Sequence, residues 1–255
     1  MKRFLIYLEA SVLPFLVAES ILLVLATIIG ILNEQFLGLS KATYLFSIIA
    51  VAIWGVIFFF WYRHDSKYED RGSVREIFRI KNLIHFIFLG IGCQFFFSGA
   101  MSLLQHSFER AFDQYGHVVE SILNENILFV LLYTAAIAPI AEELVFRGLI
   151  LHKARRTVSF WGANILQAVF FGLYHQNMIQ GIYATVIGLL LGLVYRKYNT
   201  ISAPIVLHIL INASAFIIMA VPMSTLSYAA MLVGGALFVI IAVSGLGLLK
   251  TKKLT

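Results

Sequence analysis

Residues 127–151 read ILFVLLYTAAIAPIAEELVFRGLIL, an apolar run interrupted beyond its middle by Glu142, Glu143 and Arg147. A run of this length is what an α-helix needs to cross the hydrocarbon core of a bilayer. Seven further apolar segments have the same character and cover residues 5–32, 42–62, 83–104, 160–174, 178–195, 201–220 and 228–249. The sequence therefore predicts an all-α integral membrane protein, a bundle of about eight transmembrane helices.

The composition excludes a soluble protein. Of the 255 residues, 60% are hydrophobic and 13% are charged, and the mean hydropathy is +0.90. A soluble domain of this length needs a more polar surface. The single cysteine, Cys93, excludes an internal disulfide and a cysteine-rich metal site. We expect one membrane domain, residues 1–255, with the lipid bilayer as its surroundings and no nucleic acid as a partner.

The lysines and arginines predict the orientation. Basic residues concentrate in cytoplasmic loops, and those of this chain fall sixteen on one side and two, Lys41 and Arg110, on the other. Both termini are therefore predicted to be cytoplasmic, most simply in a bacterial plasma membrane. We expect Pro14 to divide the first segment into an interfacial stretch and the true crossing. Residues 63–81 should form a cytoplasmic loop with a short surface helix, and residues 105–125 an external segment that is acidic and aromatic.

Two adjacent glutamates stand inside the fourth segment. On a helix their side chains point about 100° apart, so they cannot serve the same purpose. Glu143 and Arg147 have the i, i+4 spacing, with the acid first, that favours an ion pair. Glu142 is then left for acid–base chemistry. The alternative is that both glutamates only hold helices together.

Other polar side chains lie at helical spacing in the fifth and seventh segments. Asn164, Gln167, Phe171 and His175 form one stripe of the fifth segment, which should face the protein interior or a cavity. For His175 alone, an interfacial or structural role is equally plausible. In the sixth segment, a second stripe consists of small residues and predicts close helix packing: Gly181, Thr185, Gly188 and Gly192.

His208 and Asn212 share one face of the seventh segment, also at the i, i+4 spacing. Two hydrogen-bond donors side by side suit the stabilisation of an oxyanion. The alternative is hydrogen bonding between helices, worth roughly 0.6–2 kcal/mol per contact. At about 1.5 Å per residue, the polar residues of the three segments all reach the middle of the bilayer, so one cavity can hold them.

Three motifs carry a family resemblance: EExxxR at residues 142–147, FxxxH at residues 171–175 and HxxxN at residues 208–212. In this order and on separate spans they resemble those of the CAAX-protease and bacteriocin-processing (CPBP, Abi) intramembrane proteases. The resemblance covers residues 126–215, which we take as the catalytic core. It implies an eight-helix bundle whose active-site cavity opens to the cytoplasm.

The resemblance also implies a role for each polar residue. Glu142 would be the general base that activates water, and His175 would help to hold that water. His208 and Asn212 would stabilise the oxyanion, while Glu143 and Arg147 would orient Glu142. The implied reaction is endopeptidase cleavage of a membrane-bound peptide or protein, of CAAX, pheromone or bacteriocin type.

Two questions stay open at this stage. The zinc motif HExxH is absent, yet Glu142, His175 and His208 could supply three ligands to Zn²⁺. We expect glutamate-activated water without a tightly bound metal. Two other functions compete with proteolysis: a non-catalytic immunity or peptide-binding protein, and a small transporter. A transporter usually has paired broken helices in two related halves, which the sequence does not display.

Overall fold

A computed structural model of the chain describes residues 2–32, 43–65, 72–123, 126–219 and 225–249, and within these ranges it contains helices and no strands. The helices in chain order are α1 (Lys2–Leu32), α2 (Thr43–Asp65), α3 (Val74–Ile77), α4 (Ile80–Leu104), α5 (Glu109–Leu123), α6 (Ile127–Ala154), α7 (Phe160–Tyr174), α8 (Met178–Tyr198), α9 (Ser202–Met219) and α10 (Thr225–Leu246).

Within the described ranges, six helices are long and apolar enough to cross a membrane: α1, α2, α4, α6, α8 and α10. The other two predicted spans correspond to α7 and α9, which are apolar but shorter. The prediction of an all-helical protein is thus confirmed for the described residues, while the number of about eight transmembrane helices stays a prediction, since six helices meet the length of a full span. The termini at residues 1 and 250–255 lie outside the described residues.

One sequence prediction about local structure is wrong. Helix α1 continues through Pro14 without a break, because one missing N–H donor does not end a helix that lacks any other stop signal. Residues 109–123, within the segment predicted to be external, form helix α5. The spacing of Phe112, Tyr115 and Val119 gives this helix one apolar face. The short helix predicted after residue 63 is present as α3.

The backbone hydrogen-bonding pattern of helix α6 changes on either side of the two glutamates. The stretches Leu132–Ile137 and Leu144–Leu151 have π-helical hydrogen bonding, and the α-helical turn Ala138–Glu143 lies between them. Such wide turns are rare and are frequent at functional sites. Here the N–H of Ala138 donates to the carbonyl of Tyr133, five residues earlier. The next N–H along the helix is missing because residue 139 is proline.

Small residues bring α7 and α8 into close contact, as the sequence predicts. A Cβ atom at Gly192 would overlap the side-chain oxygen of Asn164, and one at Gly172 would overlap the hydroxyl of Thr185. Asn164 donates through Nδ2 to the carbonyl of Leu189 at 3.0 Å. The polar stripe of α7 is therefore buried against the backbone of α8.

An apolar core fills one half of the bundle around α6. Trp54 and Phe58 of α2 pack there with Phe146, Leu149 and Ile150 of α6, and all five are fully buried. These α6 residues follow Glu142 toward the basic end of the helix at Lys153. Apolar side chains thus fill the space between α2 and α6 on the Lys153 side of the two glutamates.

Candidate active site

Glu143 is the centre of a fully buried ionic network. Its Oε1 accepts hydrogen bonds from Nη1 of Arg147 at 2.7 Å and from Nδ1 of His208 at 2.8 Å. Arg147 also donates through Nη2 to the carbonyl of Gly188 at 3.1 Å, and its guanidinium lies over the ring of Phe171 at 4.6 Å. The predicted i, i+4 ion pair is present, and it links α6, α8 and α9.

Glu142 faces a different direction from Glu143, as its helical position requires. Its side chain borders a cavity, and its Oε2 lies 3.7 Å from Nε2 of His208. His208 thus stands between the two carboxylates, with one ring nitrogen toward each. Because Nδ1 is held by Glu143, Nε2 is the ring nitrogen that remains for chemistry at the cavity.

His175 lies at the end of α7, also on the cavity. Its Nδ1 is 2.8 Å from the carbonyl of Phe171, and because a carbonyl only accepts, Nδ1 must be the protonated nitrogen in the neutral ring. Nε2 then carries a lone pair. The ring of Phe171 stands edge-on to the rings of both His175 and His208, with centroids 4.9 and 5.6 Å apart, and fixes their separation.

Asn212 reaches across from α9 to the π-helical stretch of α6. Its Nδ2 donates to the carbonyl of Thr134 at 2.8 Å. That carbonyl is available because Ala138, its ordinary α-helical donor, bonds to Tyr133 instead, and residue 139 has no N–H. The second hydrogen on Nδ2 stays available to a substrate, and Asn212 borders the cavity.

The cavity has a volume of about 660 Å³ and is shared by α1, α6, α7, α8 and α9. Four of the six predicted site residues border it: Glu142, His175, His208 and Asn212. Glu143 and Arg147 lie behind this wall and have no exposed surface. The resemblance implied that these two orient Glu142, but in the structure their hydrogen bonds go to His208 and to the backbone of α8.

The lining residues show which part of the bundle the cavity occupies, and the predicted opening to the cytoplasm stays a prediction. Its α6 wall runs from Tyr133 to Glu142, and its α8 wall from Gln180 to Ile187. These are the halves of α6 and α8 that lie away from the basic ends at Lys153 and Lys197. The half near the basic ends is filled by the apolar core around Phe146. The cavity therefore extends away from the basic side of the bundle.

The side chains suggested for Zn²⁺ do not form a metal site in this arrangement. Among the described residues, no three His, Cys, Asp or Glu side chains converge closely enough to hold an ion. Nδ1 of both histidines is hydrogen-bonded to protein, so Nε2 of each is the nitrogen that a metal could use. The expectation of a mechanism without a tightly bound metal stays a prediction.

Sequence reasoning missed several side chains that border the cavity: Tyr133, Thr134, Tyr174, Gln176, Gln180 and Tyr183. Tyrosines are common in apolar helices, so nothing in the sequence set these apart. Glu19, an ionisable residue of the first apolar segment that belongs to none of the three motifs, also borders the cavity.

Comparisons with known proteins bear on the same part of the chain. Residues 124–214 match the family model described as type II CAAX prenyl endopeptidase Rce1-like. Over 92 residues the chain is 25% identical to a Bacillus subtilis (strain 168) protein named "Putative membrane peptidase YdiL". That alignment covers 36% of this chain and 38% of the relative. No solved structure matches the chain significantly.

Proposed function

We propose that this chain, whose residues 124–214 match the Rce1-like family of type II CAAX prenyl endopeptidases, is an intramembrane endopeptidase that uses glutamate-activated water. The arrangement of Glu142 carries the proposal. Its carboxylate borders a cavity within the membrane-spanning bundle, and two histidines from two other helices border that cavity with it.

Glu142 and His175 would hold the attacking water. Nε2 of His175 carries a lone pair because Nδ1 donates to Phe171, so one hydrogen of the water can bond to Nε2 and the other to the Glu142 carboxylate. The oxygen lone pair then attacks the peptide carbonyl as Glu142 takes the proton. Glu142 returns that proton to the leaving amine when the carbon–nitrogen bond breaks.

His208 and Asn212 would stabilise the oxyanion. Asn212 offers the second hydrogen of Nδ2, since the first is bonded to Thr134. His208 donates from Nε2 only in the imidazolium form, in which both ring nitrogens carry hydrogens. The carboxylates of Glu142 and Glu143 flank the ring, 3.7 Å from Nε2 and 2.8 Å from Nδ1. Removal of one such donor costs a factor of about 10²–10³ in kcat.

The substrate would be a membrane-bound peptide or protein, cut within or near the bilayer. A CAAX-type substrate, a peptide pheromone and a bacteriocin precursor all fit this description. The cavity is large enough for a few residues of extended chain. A bacterial plasma membrane is the proposed location.

Comparative peptidomics of cells that produce the native protein or Glu142→Gln tests the proposal. We expect Glu142→Gln to lose cleavage by a factor of at least about 10², with native thermal stability in detergent. Glu109→Gln is the matched control, because Glu109 is exposed on α5. Cleavage at the native rate by Glu142→Gln would disprove the proposal, and unchanged peptides in all strains would favour a non-catalytic peptide-binding protein.

Activity that persists in excess chelator would support the metal-free mechanism, and loss restored by Zn²⁺ would overturn it.

A further inference from the structure

Glu19 brings a second carboxylate to the active-site cavity. It lies near the middle of α1, and it borders the same space as Glu142. Its Oε2 accepts a hydrogen bond from Nε2 of Gln176 at 3.2 Å. Its Oε1 is shielded from solvent and has no hydrogen-bond donor in the described part of the chain. One carboxylate oxygen therefore remains to be satisfied by something that enters the cavity.

The charges around the cavity are unbalanced. Among the described side chains that border it, Glu19 and Glu142 are acidic and none is lysine or arginine. Arg147 is nearby, but it is fully buried behind the wall and bonded to Glu143. An ionised carboxylate within the bilayer is costly unless a cation or several donors compensate it. A positively charged group of a bound molecule would therefore be stabilised in the cavity.

Glu19 is also close to the reacting groups. Tyr174 borders the cavity together with Glu142 and Glu19. Gln176, the partner of Glu19, directly follows His175 and has a left-handed backbone with φ of 52°. This conformation is uncommon for a residue other than glycine. A group bound at Glu19 would therefore lie beside the turn that carries His175.

We propose that Glu19 is a specificity-determining residue, whose free Oε1 binds a positively charged group of the peptide substrate, either a lysine or arginine side chain or a free amino terminus. This rests on the proposed peptidase function. The substrate cation would donate to Oε1, and the charge-assisted bond would be strong in a cavity shielded from water. A peptide that lacks the cation would leave that oxygen unsatisfied.

Purified protein in lipid vesicles and a matched peptide series test the inference. The hydrophobic peptides have one length and differ at one position, which carries lysine, norleucine or glutamate. We expect native protein to show kcat/KM at least about tenfold higher for lysine than for norleucine, and least for glutamate. Glu19→Gln should reduce the lysine-to-norleucine ratio to within about twofold, while Glu19→Asp should keep part of it. Glu109→Gln, the exposed control, should keep all of it.

A native ratio near one at every position, or a ratio that Glu19→Gln leaves intact, would overturn the inference even if cleavage is efficient. Such a result would mean that Glu19 only links α1 to the turn after α7. If the native protein cuts no peptide of the series, the affinity of the same peptides for Glu142→Gln tests the inference independently of cleavage. Tighter binding of the lysine peptide, lost in the Glu19→Gln/Glu142→Gln double variant, would support the inference while the peptidase proposal fails.

Discussion

The two halves of α6 and its neighbours differ in what fills the space between the helices. Toward Tyr133, the helices surround an open cavity with carboxylates, histidines and tyrosines on its wall. Toward Lys153, α6 packs instead with α2 in an apolar core, in which Trp54, Phe58 and Phe146 are fully buried. The boundary falls between two adjacent residues, because Glu142 borders the cavity and Glu143 has no exposed surface.

Within α6, therefore, one glutamate stabilises the bundle while its neighbour is placed for the proposed chemistry. Glu143 is neutralised by Arg147 and His208, so it acts as part of the scaffold. Glu142 has a weaker contact with His208 at 3.7 Å and stays available to water in the cavity. The variants Glu143→Gln, Gly192→Ala and Gln176→Cys, each with a control, test how the packed and the open regions differ.

The largest expected effect is on the buried network. Glu143→Gln removes the charge that Arg147 and His208 share, and it leaves a fully buried guanidinium without its carboxylate. Loss of one partner of a buried ion pair costs about 3–5 kcal/mol. We expect the free energy of unfolding, measured by titration from mild detergent into SDS, to fall by about that amount. Glu142→Gln should change it by less than about 1 kcal/mol.

The double variant Glu143→Gln/Arg147→Met provides the control. With no unpaired charge left in the network, we expect it to recover part of the lost stability. If Glu143→Gln and Glu142→Gln destabilise the protein equally, the two glutamates do not differ in the way that their burial indicates.

A smaller effect is expected at the contact between α7 and α8. In Gly192→Ala the new Cβ would overlap Asn164, which is fully buried and bonded to Leu189. Overpacking of this kind costs about 1–3 kcal/mol, visible in the same SDS titration. The matched control is Gly234→Ala in α10, where a Cβ meets no atom within 4 Å. It should be neutral or stabilising by up to about 1 kcal/mol. Equal losses in both variants would mean that α7 and α8 do not pack this closely.

The variant with the smallest expected effect on stability tests which side of the membrane the cavity faces. Gln176→Cys in a Cys93→Ala background removes one hydrogen bond to Glu19, worth about 1 kcal/mol. A membrane-impermeant maleimide should label it from the side opposite to the basic loops. Lys197→Cys, exposed at the basic end of α8, should be labelled from the other side. Labelling of both cysteines from the side of the basic loops would instead support the predicted cytoplasmic opening.

The sequence was sufficient for the apolar helices and for the ion pair within α6. The apolar segment predicted at residues 160–174 coincides with α7, and the i, i+4 spacing predicted the Glu143–Arg147 pair. Both follow from local geometry. Contacts between helices do not, since they depend on rotation and depth that spacing leaves undetermined. The bond from Glu143 to His208, 65 residues away, is of this second kind.

The π-helical stretches were also beyond the reach of sequence reasoning. The sequence shows Pro139, but a proline can kink, end or widen a helix according to its neighbours. Only the bond from Ala138 to Tyr133 reveals that the helix widens here and frees the carbonyl that Asn212 uses. The direction of the cavity depends likewise on how Phe146 and its neighbours fill the basic half.

The shortness of α7 has a consequence for the membrane itself. Its 15 residues extend about 22 Å, roughly 8 Å less than the hydrocarbon core of an ordinary bilayer. Lipids adapt to a short apolar helix by thinning around it. His175 stands at the end of this helix, so headgroups and their hydration shell would dip toward it. The enclosing lipid would then shorten the path that each water molecule travels to reach Glu142.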